Sequence, residues 1–162
     1  PIFYYRPGEW TRMTVTEAEE GRMHGAFVTR WDGSRREAFL NASFLGITRN
    51  QYANGEWIRE TLTKGDPAPW PASGASDIAV GSLGQDRLLA AIEPFHGNQI
   101  VVYTRTENTW RRQVIDDSLE NTHTMAVADL NGDGHDEIVA GVRAGSKQVF
   151  LYTYDTNGTW TR

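Results

Sequence analysis

The sequence predicts an all-β chain, a β-propeller fragment with three four-stranded blades preceded by the outer hairpin of another. Two observations predict it. The motif Trp-x-Arg recurs as Trp10-Thr11-Arg12, Trp57-Ile58-Arg59, Trp110-Arg111-Arg112 and Trp160-Thr161-Arg162, separated by 47, 53 and 50 residues. Each full period also holds four short apolar or β-branched runs, divided by Gly, Asn and Asp. Strands of that kind at a period of about 50 residues are the signature of propeller blades, which pack face to face.

The elements follow in order. Ile2 to Tyr5, the turn Pro7-Gly8-Glu9 and the strand after Trp10 make the outer hairpin, residues 1–13. Thr14 to Glu20 is the one stretch where a helical turn is tolerable. The first full blade, 23–62, contains Ala26-Phe27-Val28, Ala38-Phe39-Leu40, Gly46 to Tyr52 and, after the turn Asn54-Gly55-Glu56, the strand of Trp57. The second, 75–117, contains Ile78-Ala79-Val80, Leu88 to Ile92, Ile100 to Thr104 and the strand of Trp110 beyond Glu107-Asn108-Thr109. The third, 122–162, contains Met125-Ala126-Val127, Ile138-Val139-Ala140, Val149 to Tyr154 and the strand of Trp160 beyond Asn157-Gly158-Thr159. These runs are too short and too often interrupted for helices. Gly and Asn at the turns tolerate the positive φ of tight hairpins.

A tryptophan recurring in one outer-strand register is read as blade-to-blade core, and the arginine after it as a solvated charge that blunts an edge. Trp31 and Trp70 break the register; Trp70, between Pro69 and Pro71, is the better candidate for a substrate wall. A ring needs at least four blades. The remaining blades are therefore expected from the same parent chain, with closure by self-association as the alternative.

Bulk properties narrow the partners. The 162 residues carry a net charge of −5 with signs mixed, unlike the basic stripe of a nucleic-acid binder. No window of about eighteen apolar residues exists, so no membrane span is expected. Cysteine is absent, which excludes disulfides and thiolate metal sites and leaves the compartment open.

The loop Asp129-Leu130-Asn131-Gly132-Asp133-Gly134-His135-Asp136-Glu137 sets oxygen ligands at alternating positions. Hard cations take six to eight oxygens, so Asp129, Asn131, Asp133, the carbonyl of His135 and the carboxylate of Glu137 are expected to hold a structural Ca²⁺. The corresponding loops of the other blades lack the pattern: Arg30 stands where Asp129 would be, and Leu83-Gly84-Gln85-Asp86 is shorter.

Three histidines form the second candidate set. His24 and His123 precede the innermost strands of their blades, next to the central tunnel, and His96 lies in a turn after a second strand. Imidazoles suit Zn²⁺ or another divalent ion, which in a tunnel could polarise a carbonyl. Ser76 holds the equivalent position in the middle blade, so the ring of histidines is incomplete.

The loop Asp129 to Glu137, with Ile138-Val139-Ala140-Gly141, resembles the FG-GAP or VCBS repeat of integrin-type propellers. A narrower set is similar, in order and spacing, to the propeller of aldos-2-ulose dehydratases: His24-Gly25, Gly65-Asp66-Pro67-Ala68-Pro69-Trp70, Gly74-Ala75-Ser76, Glu93-Pro94-Phe95-His96-Gly97-Asn98 with Val102-Tyr103-Thr104, and His123. That resemblance implies part of a metal-assisted carbohydrate lyase that removes water from a 2-ketosugar such as 1,5-anhydrofructose. It implies catalytic roles for His24, His96, His123 and Glu93, and substrate contacts from Trp70, Ser76 and Asn98. The competing expectation is a non-catalytic FG-GAP propeller that binds carbohydrate or protein.

Overall fold

In the computed structural model, which describes residues 1–18, 21–145 and 147–162, the chain is strands and loops with no helix among the described residues. None, accordingly, is long and apolar enough to cross a membrane. A two-stranded ribbon, β1 (Ile2–Tyr5) and β2 (Arg12–Thr16), comes first. Three four-stranded antiparallel sheets follow in simple meander order. The first is β3 (Met23–Arg30), β4 (Glu37–Ser43), β5 (Gly46–Ala53) and β6 (Glu56–Thr63). The second is β7 (Asp77–Leu83), β8 (Asp86–Glu93), β9 (Gln99–Thr106) and β10 (Thr109–Asp116). The third is β11 (Thr122–Ala128), β12 (Glu137–Val142), β13 (Val149–Tyr154) and β14 (Trp160–Thr161). Each sheet is a propeller blade.

Adjacent blades meet through their inner strands, with β7 packed against β3 and β4 on one side and β11 on the other. From Leu88 to Glu93, β8 of the middle blade is therefore wholly buried, whereas its outer strand β10 keeps exposed positions. Along β8 the side chains alternate between two cores. Leu89 and Ala91 join Leu40, Ile47 and Trp31, whereas Leu88, Ala90 and Ile92 join Ile138, Ala140 and Tyr152. A strand buried on both faces reads as an unbroken apolar run, which is how Leu88 to Ile92 reads. Each of these leucines contributes about 1.5–3 kcal/mol by its burial. Local chemistry closes the hairpins. Asn54 and Gly55 both take positive φ, 54° and 91°, and Ala53 pairs with Glu56, the two-residue turn whose twist matches its strands.

Three expectations change. Thr14 to Thr16 lie in β2, so no helical turn forms there; Glu19 and Glu20 lie outside the described residues. Their β-branched neighbours pair across the ribbon, Thr14 with Phe3 and Thr16 with Ile2, and this pairing outweighs any local helical preference. The tryptophan rule holds for Trp57, Trp110 and Trp160, each partly buried, but Trp10 is 69% exposed and sits in the turn before β2. The arginines are not simply solvated. Arg112 reaches inward to a buried carboxylate, and Arg162 bonds Asp116 at 3.0 Å while lying 4.9 Å over the ring of Phe150. A long guanidinium stem packs on the blade and brings its fork to a fixed acid.

Candidate active site

The backbone supplies the three histidines by two devices. At the start of β3 the pairing slips between Met23 and Gly25, and at the start of β11 it slips between Thr122 and Thr124. The residue left over in each bulge is a histidine, His24 or His123. A bulge inserts one residue and re-aims its side chain, so both imidazoles leave the pleat at the same end of the two inner strands that flank β7. In the middle blade Asp77 pairs with Ile92 and Ile78 with Ala91 without a slip, and no histidine is presented from that strand. That blade contributes His96 from the β8–β9 connection instead. Gly97 N–H bonds the Pro94 carbonyl at 2.7 Å, closing a tight turn in which His96 takes φ 53°. Left-handed backbone is uncommon outside glycine, although histidine is among the residues enriched there, and such positions concentrate at functional sites.

The three rings converge. One ring nitrogen from each of His24, His96 and His123 lies within 4.8 Å of the others. The rings of His96 and His123 stack with centroids 5.1 Å apart, and His24 meets them at 4.7 and 5.0 Å. Hydrogen bonding constrains the tautomers. Nδ1 of His24 lies 3.2 Å from the Ser76 carbonyl, which can only accept, so Nδ1 carries a proton and Nε2 is the nitrogen left to meet a ligand. Nδ1 of His96 and Nδ1 of His123 face each other at 3.3 Å, a separation that admits at most one proton between them. Burial lowers the pKa of His96, and the charges of His24, His123, Arg143 and Arg22 lower it further. Burial and the surrounding positive charges thus favour a neutral His96 with a lone pair available. That donor set fits a divalent transition ion, whose tetrahedral ligands stand about 3.4 Å apart.

An aromatic line runs outward from the cluster. Phe95 meets His96 edge-on at 4.7 Å and His24 at 6.0 Å; Phe44 meets Phe95 at 4.5 Å; Trp70 meets Phe44 at 4.7 Å. Trp70 is carried by a loop closed at its neck, where Asp66 and Gly74 exchange two backbone hydrogen bonds of 3.1 Å. The ring is 57% exposed and lies over Gly21, where any side chain would collide with it. Phe44 is a residue the sequence reading missed. Its signal was an apolar pair, Phe44-Leu45, in a tight β4–β5 connection where polar residues are usual.

Other expected site residues have different employment. Glu93 is wholly buried; Tyr103 donates to its Oε1 at 2.6 Å, and Arg112 donates to its Oε2 through Nε and a terminal nitrogen at 2.9 and 2.8 Å. Burial pushes its carboxyl upward while Tyr103 and Arg112 pull it down. Arg112 itself is held charged by that pairing against its own partial burial, so the two form an ion pair. Glu93 thus anchors the end of β8 immediately before the turn of His96, rather than facing the imidazoles as an acid or base. Asn98 donates to the Asp117 carbonyl at 2.7 Å and ties down the segment after β10. Ser76 is fully buried with its hydroxyl unpartnered; only its carbonyl serves the site, through His24.

The acidic loop lies between β11 and β12, apart from the histidines in sequence and dense with its own bonds. The Asp129 carboxylate accepts from Gly132, Asp133 and Gly134 N–H at 2.7 to 3.2 Å. Asn131 donates to Asp133 and Glu137 at 3.1 and 2.9 Å, and His135 N–H bonds Asp133. The loop also docks on the next blade inward: Gly84 N–H bonds the Gly134 carbonyl, Asp136 N–H the Ser82 carbonyl, and Ser82 N–H the Asp136 carboxylate at 2.7 Å.

Comparison with known proteins adds three matches. Residues 2–106 match the family model of the aldos-2-ulose dehydratase β-propeller domain. Residues 121–159 match the FG-GAP repeat. Aldos-2-ulose dehydratase of Phanerodontia chrysosporium is 30% identical over 149 residues, which cover 80% of this chain; the chain spans 16% of the length of that relative.

Proposed function

From the premise that this chain belongs to the family of aldos-2-ulose dehydratase β-propeller domains, we propose that it supplies the catalytic tunnel of a carbohydrate lyase, removing water from a 2-ketosugar such as 1,5-anhydrofructose. The observation that carries this reading is the convergence of His24, His96 and His123 within 4.8 Å. These residues would hold Zn²⁺ or an ion of similar chemistry. Such an ion, when bound, supplies Lewis acidity to a carbonyl oxygen and so acidifies the neighbouring C–H.

The chain's own groups account for the rest. The exposed face of Trp70, with Phe44 behind it, gives a sugar ring an apolar wall to stack on. The Ser76 carbonyl fixes the His24 ring and directs Nε2 toward the cluster. Removing water calls for a base at the α-proton and an acid at the departing hydroxide; the bonds of Glu93 to Tyr103 and Arg112 count against it for either role. Arg22 and Arg143, whose charges act on His96, favour the electron-rich oxygen that develops as the proton leaves.

In the acidic loop, a structural Ca²⁺ is proposed for Asp129, Asn131, Asp133, His135 and Glu137. The support is the inward convergence of three carboxylates on one amide and four backbone N–H groups. The other blades of the propeller are proposed to come from the same parent chain.

A second reading, a non-catalytic propeller that binds a glycan or a protein, is favoured by one observation: neither Glu93 nor Asn98 has a side-chain bond to the histidines. The test separates them. The intact protein is incubated with 1,5-anhydrofructose while the absorbance of the conjugated enone produced by dehydration is followed, and its metal content is measured. Turnover with stoichiometric transition metal, lost in His96→Ala, supports the lyase. Undiminished turnover in that variant sinks the assignment, and glycan binding without metal or turnover establishes the second reading.

A further inference from the structure

The middle blade gives the cluster no histidine from its inner strand, yet the first residue of that strand, Asp77, touches both neighbours that do. Its Oδ1 accepts the Ile78 N–H at 3.0 Å, and its Oδ2 accepts the Met125 N–H at 3.0 Å. The second bond leaves the blade. Met125 lies on β11 just beyond the bulge that presents His123. On the opposite flank the residue after His24 is Gly25, buried against the same acid. A Cβ added there would lie 2.6 Å from Asp77 Cα and 2.7 Å from its Oδ1. One carboxylate is therefore wedged between two bulged strands, bonded to one and in close contact with the other.

A bulge lacks part of its ladder and has no pairing of its own to fix its direction. A carboxylate oxygen that accepts a backbone N–H from the next blade can supply the missing constraint. We propose that Asp77 is a positioning residue that locks the His24 and His123 bulges in fixed relation across the middle blade, so that their imidazoles meet His96. This rests on the reading of the three histidines as a divalent-ion site. Two substitutions perturb the wedge from opposite sides. Asp77→Asn turns an amide NH₂ toward a backbone N–H, donor against donor, and Gly25→Ala pushes the acid away from β3.

The experiment uses Co²⁺ alone as the probe, titrated into the metal-stripped intact protein and followed by its visible ligand-field bands, with hydrogen exchange of the peptides over 23–30 and 122–128. Wild type is expected to bind Co²⁺. Asp77→Asn and Gly25→Ala are expected to bind it about 10–100-fold more weakly, with shifted bands and faster exchange in 122–128 for Asp77→Asn. Ile138→Val, a core change on the neighbouring blade, serves as the stability control and is expected to leave the bands unmoved. Asp77→Asn affinity and bands equal to those of Ile138→Val would overturn the proposal. Failure of wild type to bind Co²⁺ would count against the ion site instead. Exchange then decides for Asp77: acceleration in 122–128 supports the positioning role, and unchanged exchange overturns it.

Discussion

The acidic loop and the histidine cluster are built in opposite ways. Asp129 to Glu137 collects its oxygens from nine consecutive residues, and the hydrogen bonds of Asp129, Asn131 and Glu137 run within that stretch, while Gly134 and Asp136 tie it to the preceding blade. The cluster collects three nitrogens from three blades, with His24 and His123 separated by 99 positions in sequence. A local site depends on turn chemistry and can survive damage elsewhere. A distributed site depends on the register of every strand that carries it, which makes it sensitive to changes that never touch a ligand.

That contrast can be tested at several strengths. The largest effect is expected from His96→Ala, which removes one of three donors: dehydration should fall at least about a hundredfold in a rate assay with 1,5-anhydrofructose. Equal loss from a substitution in the acidic loop would erase the distinction between the two sites. Next comes Arg112→Met, which leaves the Glu93 carboxylate buried without its cation. The cost should be about 3 kcal/mol by denaturant unfolding, and metal loading at the distant His96 should suffer with it. A smaller effect is expected from calcium. Adding Ca²⁺ at about a hundred times its dissociation constant should stabilise the protein by about 2.7 kcal/mol in calorimetry, and Asp129→Ala should abolish the gain. Identical melting temperatures with Ca²⁺ and with chelator would reduce the loop to a turn.

The smallest expected effect concerns pH. His96 has a pKa below the usual 6.5, so on acidification the unfolded chain takes up a proton before the native one does. Stability from this residue is therefore constant above that range and declines as pH falls below 6.5, until the native imidazole also protonates. His96→Asn, which tolerates the same backbone, should flatten that part of a melting-temperature profile. A profile unchanged by the substitution would show that the ring is as exposed as the acidic loop.

How much could be read beforehand follows the same division. Trp57, Trp110 and Trp160 marked the blades because a repeat writes one packing position again and again. The acidic loop was legible because its partners are neighbours in sequence. The histidines were visible as candidates, but their convergence depended on two bulges, and nothing in Met23-His24-Gly25 or Thr122-His123-Thr124 announces a slipped register. The partners of Glu93 were hidden for a related reason. Its cation, Arg112, stands nineteen positions away on another strand, and a carboxylate beside histidine looks catalytic until its partner is known. Phe44 escaped because aromatic lines are assembled by edges that only the folded chain brings together.

The left-handed turn at position 96 has a chemical consequence. Few side chains sit comfortably at φ 53°: glycine, asparagine, aspartate and histidine are the main ones. Three of these four end in donor atoms, and they differ in hardness. The backbone thus favours a short alphabet at this position, in which exchanging nitrogen for oxygen leaves the turn intact. His96→Asp would move the cluster from an imidazole set toward one that suits Mn²⁺ or Mg²⁺, so ion preference here can be retuned by one residue without rebuilding the loop.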